Sequence, residues 1–425
     1  MKKNAFIFPG QGSHYIGMGK SIYDKYDVAK RIFNRANNEL GYDIKRICFE
    51  GNLVELSKID IMLTAIMTVS VASFNVLLEE YGIEPNFLAG HSLGEYSALT
   101  CSGAIEFGDA IRLVEKRSKL AMKAFENTDA SMSIIENVDF NTISRLCISK
   151  SPNVSIACIN GKNQFAISGY SNAIEDIENE LLIEGGQVTP LLYSLPFHSS
   201  LMQEVSMELE DYLKNIKFKS FKYKVISNVD ANVYKNENEI ISKLVKQIKN
   251  PVQWDSTIRF FTANNVENLI EVGSQKILSN IIAKDNKHFN LFSFSVAEDR
   301  KRIKENISSK YINELKYNNY VKLMERSLTE AVTTKNKCFN IDLYKSKVID
   351  KYLEIEKWIN KCNEDDSFNY INILKKTLEN LKCIYDTKGI CINEQRERFN
   401  KLVKDSNIDD IDISFIDELF INEPS

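Results

Sequence analysis

Phe87-Leu88-Ala89-Gly90-His91-Ser92-Leu93-Gly94-Glu95-Tyr96 is the stretch that decides how this chain folds. Its apolar start reads as the end of a buried strand, and Glu95–Cys101 carries a helical pattern. Gly-x-Ser-x-Gly between strand and helix describes a nucleophile elbow, in which a strained turn lifts the serine hydroxyl above the sheet. The flanking glycines let neighbouring backbone come close. The helix that begins there adds positive partial charge where an oxyanion would develop. The five-residue pattern alone recurs by chance in many chains, so its weight comes from the strand-turn-helix setting.

A serine nucleophile needs a base, and the chain has only four histidines: His14, His91, His198 and His288. Side chains of adjacent residues diverge at a sharp turn, which makes His91 a poor partner for Ser92. His14 follows a glycine-rich turn and His288 sits in the charged stretch Lys284–His288. His198 lies in Leu195-Pro196-Phe197-His198-Ser199, where a proline restricts the chain ahead of it. Elimination therefore favours His198 as general base over a purely structural histidine.

Pro9-Gly10-Gln11-Gly12-Ser13 follows the first strand candidate. As a dinucleotide fingerprint it fails, because the third glycine, Gly17, comes too late. A glycine-flanked turn at a strand end could instead present a backbone N–H toward the elbow, completing an oxyanion hole with the N–H of Leu93. Arg117 falls on the helical pattern Ala110–Phe125. A lone helical arginine is usually solvated; an acyltransferase handling a dicarboxylic half-thioester would need such a cation in its pocket.

Outward from these motifs, short apolar runs alternate with helical patterns up to about residue 295. Strand candidates are Ala5–Phe8, Asn86–Ala89, Tyr223–Ser227, Asn268–Val272 and Leu291–Phe294, with Ile61–Leu78 among the helices. That alternation predicts an α/β fold with a parallel, helix-covered sheet. Residues 126–193 read differently: strands Ser131–Ile135, Val154–Ala157, Phe165–Ser168 and Gln187–Leu192, with helices Phe140–Ile148 and Asn172–Glu184. This is the split-βαβ order of a ferredoxin-like unit, inserted into a core made of residues 1–125 and 194–298. Residues 299–425 read as a helical extension, with periodicity over Tyr311–Val332, Asp342–Asn360 and Phe368–Tyr385. Its end is acidic: Asp405, Asp409, Asp410, Asp412, Asp417, Glu418 and Glu423 come with no Lys or Arg after Lys404. Apolar residues interleave them, which suits a capping helix or an amphipathic interaction element.

Composition bounds the function. With 54 Lys plus Arg against 58 Asp plus Glu, the net charge is −4, which argues against a nucleic-acid partner. No apolar run reaches the roughly 18 residues that span a bilayer, so no membrane segment is expected. Ala5-Phe6-Ile7-Phe8 is too short for a signal-peptide core. The eight cysteines are scattered without a C-x-x-C pair, which favours reduced thiols in a cytoplasmic protein over a metal site or disulfide framework. Of 17 glycines, only Gly389 lies beyond Gly273, so the backbone constraints of a site are confined to the first two thirds.

Taken together, these motifs resemble the malonyl-CoA:acyl-carrier-protein transacylases of fatty-acid and polyketide synthesis. The likeness runs from Phe6 to about Ile282, through Phe8–Ser13, Gly90–Tyr96, Arg117 and Pro196–Ser199. It continues through Ile226-Ser227-Asn228-Val229, Gln247, Asn250–Trp254 and Ile270-Glu271-Val272-Gly273. The resemblance implies a hydrolase-like core with a ferredoxin-like insert. It implies that Ser92 takes a malonyl group from malonyl-CoA as an ester, with His198 as base and then acid, before passing it to the phosphopantetheine thiol of an acyl carrier protein by ping-pong kinetics. Gln11 and Leu93 would supply the oxyanion hole, Arg117 would pair with the malonyl carboxylate, and the backbone carbonyl of Gln247 would orient His198. Phe197 resembles malonyl-selective members, and Asn160 keeps the second Asn of an A-N-x-N segment that contacts substrate. No cofactor or metal is implied; malonyl-CoA is substrate and the phosphopantetheine belongs to the carrier.

Some positions depart from that pattern. His14 stands where the family has Gln, Cys158 replaces the first Asn of A-N-x-N, Met122 comes one place late, and Ser274-Gln275 replace Pro-Gly. Leu328–Asn336, with Tyr344 and Val348, resembles the helical extension of free-standing polyketide acyltransferases that act in trans, implying polyketide synthase modules as partners. Two alternatives stand beside transfer: an acyl hydrolase using the same Ser92 and His198, and a non-catalytic docking protein.

Overall fold

The computed structural model describes residues 3–192, 194–362, 370–408 and 419–420. The chain divides into two compact units, Met1–Ser308 and Ser309–Ser425.

Among the described residues the first unit holds nine strands: β1 (Lys3–Phe8), β2 (Phe87–Gly90), β3 (Ala130–Glu136), β4 (Val154–Gly161), β5 (Gln164–Tyr170), β6 (Gln187–Pro190), β7 (Lys224–Ile226), β8 (Val266–Glu271) and β9 (Asn290–Ser293). Five of them form a parallel sheet in the order β7-β2-β1-β8-β9. Every residue from Ala5 to Phe8 is buried, as expected of a central strand covered on both faces. The register pairs Phe8 with Gly90, so β1 and β2 end side by side and release their following turns at the same edge. In parallel α/β sheets that carboxyl edge is where ligands bind.

Helix Ile59–Tyr81 packs against helices Asp27–Leu40 and Phe107–Ala124. By length and composition it could cross a membrane, which corrects the expectation that no stretch is apolar enough. Thr64, Thr68, Ser70 and Ser73 break the apolar run without making the helix polar, since their hydroxyls are buried and those of Thr64 and Thr68 bond back to helix carbonyls. Most of the helix is buried in the core.

The inserted segment forms an antiparallel sheet ordered β4-β5-β3-β6, the split-βαβ arrangement read from the sequence. Helices Phe140–Ser149 and Ser171–Ile183 join its strands. Period-two alternation gives the sheet two faces. Ile135, Phe165 and Ile167 pack with Ile143, Leu146, Ile174, Ile177 and Leu181 under the helices. Met132, Ile134, Cys158, Asn160 and Ala166 face the other way, toward the elbow. A parallel bridge between Cys158 and Val252 ties this sheet to the segment that follows Gln247.

The first unit runs on to Ser308. Asp299 accepts the Ser293 N–H and pairs with Lys276, and Ile303 is buried in the core. The second unit is helical: Ser309–Thr333, a helix from Ile341 to Cys362 with one π-type turn at Lys345–Ile349, Tyr370–Thr387 and Ile392–Ser406. Leu323, Met324, Ile355, Leu374, Leu378, Leu381, Tyr385 and Phe399 form its core. The buried Lys388 ammonium donates to the Ala331 and Thr334 carbonyls, supplying the end of the first helix with donors it lacks. Helix Ile392–Ser406 carries so few apolar residues that periodicity does not reveal it. The acidic segment from Asp409 to Glu418, and Glu423, lie outside the described residues, as does the expected helix start at Phe368; Asp405 pairs with Arg326.

The elbow tests the packing argument. A Cβ on Gly94 would lie 2.0 Å from the Phe8 carbonyl oxygen, and one on Gly90 would lie 1.8 Å from the Gly94 carbonyl carbon. Both neighbours are backbone and cannot swing aside. Gly94→Ala is expected to cost about 3 kcal/mol or more in denaturant unfolding. Gly41→Ala, at a left-handed residue with open space around it, should cost only about 1–2 kcal/mol.

Candidate active site

Ser92 stands between β2 and helix Leu93–Cys101 with φ 53° and ψ −108°. That is a strained conformation for a residue with a Cβ, and it is held by three contacts. The Ser92 N–H donates to Asn228 Oδ1 at 2.8 Å, and Asn228 Nδ2 donates to the Gly90 carbonyl at 2.6 Å. The Gln247 side-chain amide donates to the Ser92 carbonyl at 2.8 Å. A single asparagine thus clamps both sides of the turn.

His198 also has a positive φ, 62°, and its N–H donates to the Ile248 carbonyl at 2.8 Å. Its Nε2 lies 2.6 Å from Ser92 Oγ, and its Nδ1 lies 2.7 Å from the Gln247 backbone carbonyl. A carbonyl only accepts, so Nδ1 carries the proton and Nε2 is left with a lone pair facing the serine. Burial pushes the imidazole pKa down to about 3, with the nearby Arg117 charge adding to the effect. The ring is therefore neutral at physiological pH, the state a base requires.

Around Ser92 and His198 lies a cavity of about 280 Å³. Gln11 and Gly12 line it from the turn after β1, Phe197 and His198 from the other side, and Ile277, Leu278 and Ile281 close the far wall. The turn and the elbow meet backbone to backbone, since a Cβ on Gly10 would lie 2.6 Å from the His91 carbonyl oxygen. Neither the Gln11 N–H nor the Leu93 N–H has an acceptor among the described residues. Two such donors beside a serine hydroxyl are what a developing oxyanion needs.

Asn160 lines the same cavity and accepts from His91 at 2.8 Å, with the His91 ring resting on Trp254. That bond, together with burial, gives His91 a structural part. His14 lies outside this cavity, 3.1 Å from the Ser57 hydroxyl, and His288 sits beside Thr262.

Arg117 is only 1% exposed and does not form part of the cavity wall. Its guanidinium lies 4.1 Å from the centroid of the Phe197 ring and 5.4 Å from that of Tyr96. Phe197 does line the cavity and so stands between the cation and the space beside Ser92. No carboxylate pairs with Arg117 among the described residues, and its Nε and Nη2 are buried without partners. A buried guanidinium with unmet donors is the kind of group that could pair with an anion.

The structure thus gathers Ser92, His198, Gln247, Gln11, Leu93, Phe197 and Asn160 at one sheet edge, with Arg117 one ring away. It adds three residues to which the sequence gave no role. Asn228 clamps the elbow; Glu95, fully buried, accepts from the Gln247 amide at 3.0 Å, the Tyr234 hydroxyl at 2.7 Å and the Asn228 N–H at 3.2 Å. Glu95 and Asn228 stand inside quoted motifs, whereas nothing near Tyr234 distinguishes it in the sequence.

Residues 5–336 match the acyl transferase domain family. A malonyl CoA-acyl carrier protein transacylase of Bacillus subtilis is 35% identical over 302 residues, covering 70% of this chain and 76% of the relative. The transacylase of the same name from Escherichia coli K12 is 36% identical over 284 residues, covering 66% of this chain and 92% of that one. Among solved structures, a malonyl-transacylase in complex with its type II polyketide synthase acyl-carrier protein superposes with a TM-score of 0.69 at 33% identity, covering 72% of this chain and 99% of its own. The transacylase from Clostridium perfringens gives a TM-score of 0.69 at 31% identity over 73% of this chain and 99% of its own. With a serine elbow, a histidine beside it and a buried arginine set on that shared fold, the chain belongs to the acyl transferase domain family, among the malonyl CoA-acyl carrier protein transacylases.

Proposed function

We propose that this chain is an acyl-carrier-protein S-malonyltransferase working through a Ser92 ester, and the observation that carries the reading is the 2.6 Å contact between Ser92 Oγ and a neutral, carbonyl-anchored His198. Ser92 Oγ attacks the thioester carbonyl of malonyl-CoA while His198 Nε2 takes the hydroxyl proton. The Gln11 and Leu93 N–H groups receive the oxyanion. Collapse breaks the carbon–sulfur bond, the coenzyme A thiolate leaves with the proton from His198, and malonyl remains as an ester on Ser92. The phosphopantetheine thiol of an acyl carrier protein then runs the same steps in reverse, restoring the serine. No cofactor enters this chemistry. Asn160 and Phe197 shape the acyl pocket, and scattered cysteines favour a reducing, cytoplasmic setting.

Selectivity follows from Arg117. A malonyl carboxylate satisfies the orphaned guanidinium, whereas an acetyl group leaves it buried and unpaired. The Phe197 ring must move aside for the two charges to meet, so malonyl binding displaces it from its stacked position on the guanidinium.

The polyketide assignment rests on the second unit. The solved transacylase noted above matches only 72% of this chain while being covered almost entirely itself. Phe339, at 95% exposure, and the nearby Ile341 and Val332 leave an apolar surface on the additional part. We read it as a docking element for polyketide synthase modules. Faster malonyl transfer to a carrier inside a module than to the same carrier alone would bear this out; equal rates would count against it.

Intact-protein mass spectrometry with malonyl-CoA should show one added malonyl group, absent from Ser92→Ala, and transfer to a carrier protein should exceed release of free malonate. An adduct that survives Ser92→Ala overturns the mechanism. Arg117→Ala should lower malonyl loading about 100-fold and raise acetyl loading relative to it; an unchanged malonyl-to-acetyl ratio removes Arg117 from recognition. Because His198 titrates near pH 3, its imidazole nitrogen shifts should remain those of the neutral Nδ1–H tautomer between about pH 5 and 8 when followed by NMR.

A further inference from the structure

Behind Ser92, away from the cavity, lies a buried polar cluster that the steps above do not use. Gln247 is its joint. The backbone carbonyl of Gln247 accepts from His198, while its side-chain Nε2 donates both to the Ser92 carbonyl and to Glu95 Oε2. One residue therefore connects the backbone of the nucleophile to the ring of the base.

The orientation of that amide has a cost. Gln247 Oε1 is buried without a partner, so the orientation of the amide is set by the two acceptors that its NH2 group meets. Those acceptors are the Ser92 carbonyl and the Glu95 carboxylate. The other Glu95 oxygen, Oε1, accepts from the Tyr234 hydroxyl and the Asn228 N–H, which hold the carboxylate in place. Asn228 in turn clamps the elbow through its side chain.

We infer that Glu95 is a positioning residue for the transfer reaction: by fixing the Gln247 amide it keeps the Ser92 turn and the His198 ring at hydrogen-bonding distance. The inference rests on the Ser92 ester mechanism and deepens it. Glu95 touches neither substrate nor the reacting atoms; it acts through Gln247. Its ionised form is the one that works, because a protonated Oε2 would present its own hydrogen to the Gln247 NH2.

Charge and solvation around Glu95 make this ionisation sensitive to pH. Burial raises its pKa to about 7, opposed by the hydrogen bonds from Tyr234, Gln247 and Asn228 and by the positive charge of Lys243. Tyr96, on the same helix, and Tyr234 feel the Glu95 charge in return. Lys243 itself pairs with Asp230 and Glu239 and lies 4.8 Å from the Tyr234 ring. As pH falls through this range Glu95 takes up a proton and the tether loosens. His198, titrating near pH 3, contributes nothing there.

Glu95→Gln tests the idea with almost no change of shape. If the new carbonyl keeps Tyr234 and Asn228, the new NH2 meets the Gln247 NH2 donor to donor. If Gln247 flips to relieve that clash, its Oε1 meets the Ser92 carbonyl acceptor to acceptor. In either case the tether is lost. The expected result is a fall of about tenfold in kcat for Ser92 acylation, with KM for malonyl-CoA within about twofold and the acid limb near neutrality abolished. Tyr234→Phe provides a second route that leaves Glu95 in place. It removes a hydrogen bond to the ionised carboxylate and should move the acid limb up by about one pH unit. Wild-type adduct formation on Ser92 is the prior control, and its failure would sink the mechanism rather than this inference. With that adduct present, a Glu95→Gln enzyme with wild-type kcat, or one that retains the acid limb, overturns the positioning role. Should Glu95→Gln not fold, a limb that stays put in Tyr234→Phe overturns it equally.

Discussion

The contact between the end of β1 and the start of the Leu93–Cys101 helix is the constraint on which the rest of this molecule depends. Phe8 and Gly90 are register partners, the His91 N–H bonds the Phe8 carbonyl, and Gly94 lies against that same carbonyl with no room for a methyl group. Two strand ends this close bring their following turns into one place. One turn supplies the Gln11 N–H and the other supplies Ser92 and the Leu93 N–H. Had either glycine carried a side chain, the elbow would stand off from β1 and those groups would separate.

The same edge shows how a catalytic group is held in an unfavourable state. Ser92 and His198 both occupy positive φ, and each is anchored by backbone or amide hydrogen bonds rather than by bulk. Glu95, Asn228, Gln247 and Tyr234 form the buried lattice that absorbs this strain. His198 Nδ1 faces the Gln247 carbonyl where a conventional triad has a carboxylate, and that contact fixes the tautomer of the ring. Burial and the Arg117 charge hold the imidazole neutral. The small sheet completes the cavity from the opposite side, one set of its side chains facing its own helices and the other facing the serine, with irregularities in β4 that turn Cys158 and Asn160 toward the cavity.

Much of the fold was legible in advance because it rests on local rules. Strand-helix alternation, the split order of residues 126–193 and the loss of glycine after Gly273 are patterns of hydrophobic period and turn residues. Where those rules weaken, so did the reading. Helix Ile59–Tyr81 is more apolar than its interrupted run suggested, since Thr and Ser hydroxyls can bond back to helix carbonyls and be buried. Helix Ile392–Ser406 hides its core face behind a single phenylalanine and a Leu-Val pair.

The sequence marks Ser92, His198 and Leu93 through their motifs and local setting, while the roles of Gln11, Arg117 and Gln247 come from the family resemblance. What sequence determined was the inventory: one serine at an elbow, one histidine fit to serve it, one arginine of the right kind. Tertiary structure alone decided the relations among them. Phe197 covers Arg117, Glu95 reaches Gln247 across 152 residues, and Tyr234 joins from a segment with no motif at all. Spacing along a chain reports periodicity and local turns; it does not report which distant side chains share a dry interior. In that interior an unmet hydrogen bond is expensive, so the partners of each buried polar group are settled only when the whole core closes.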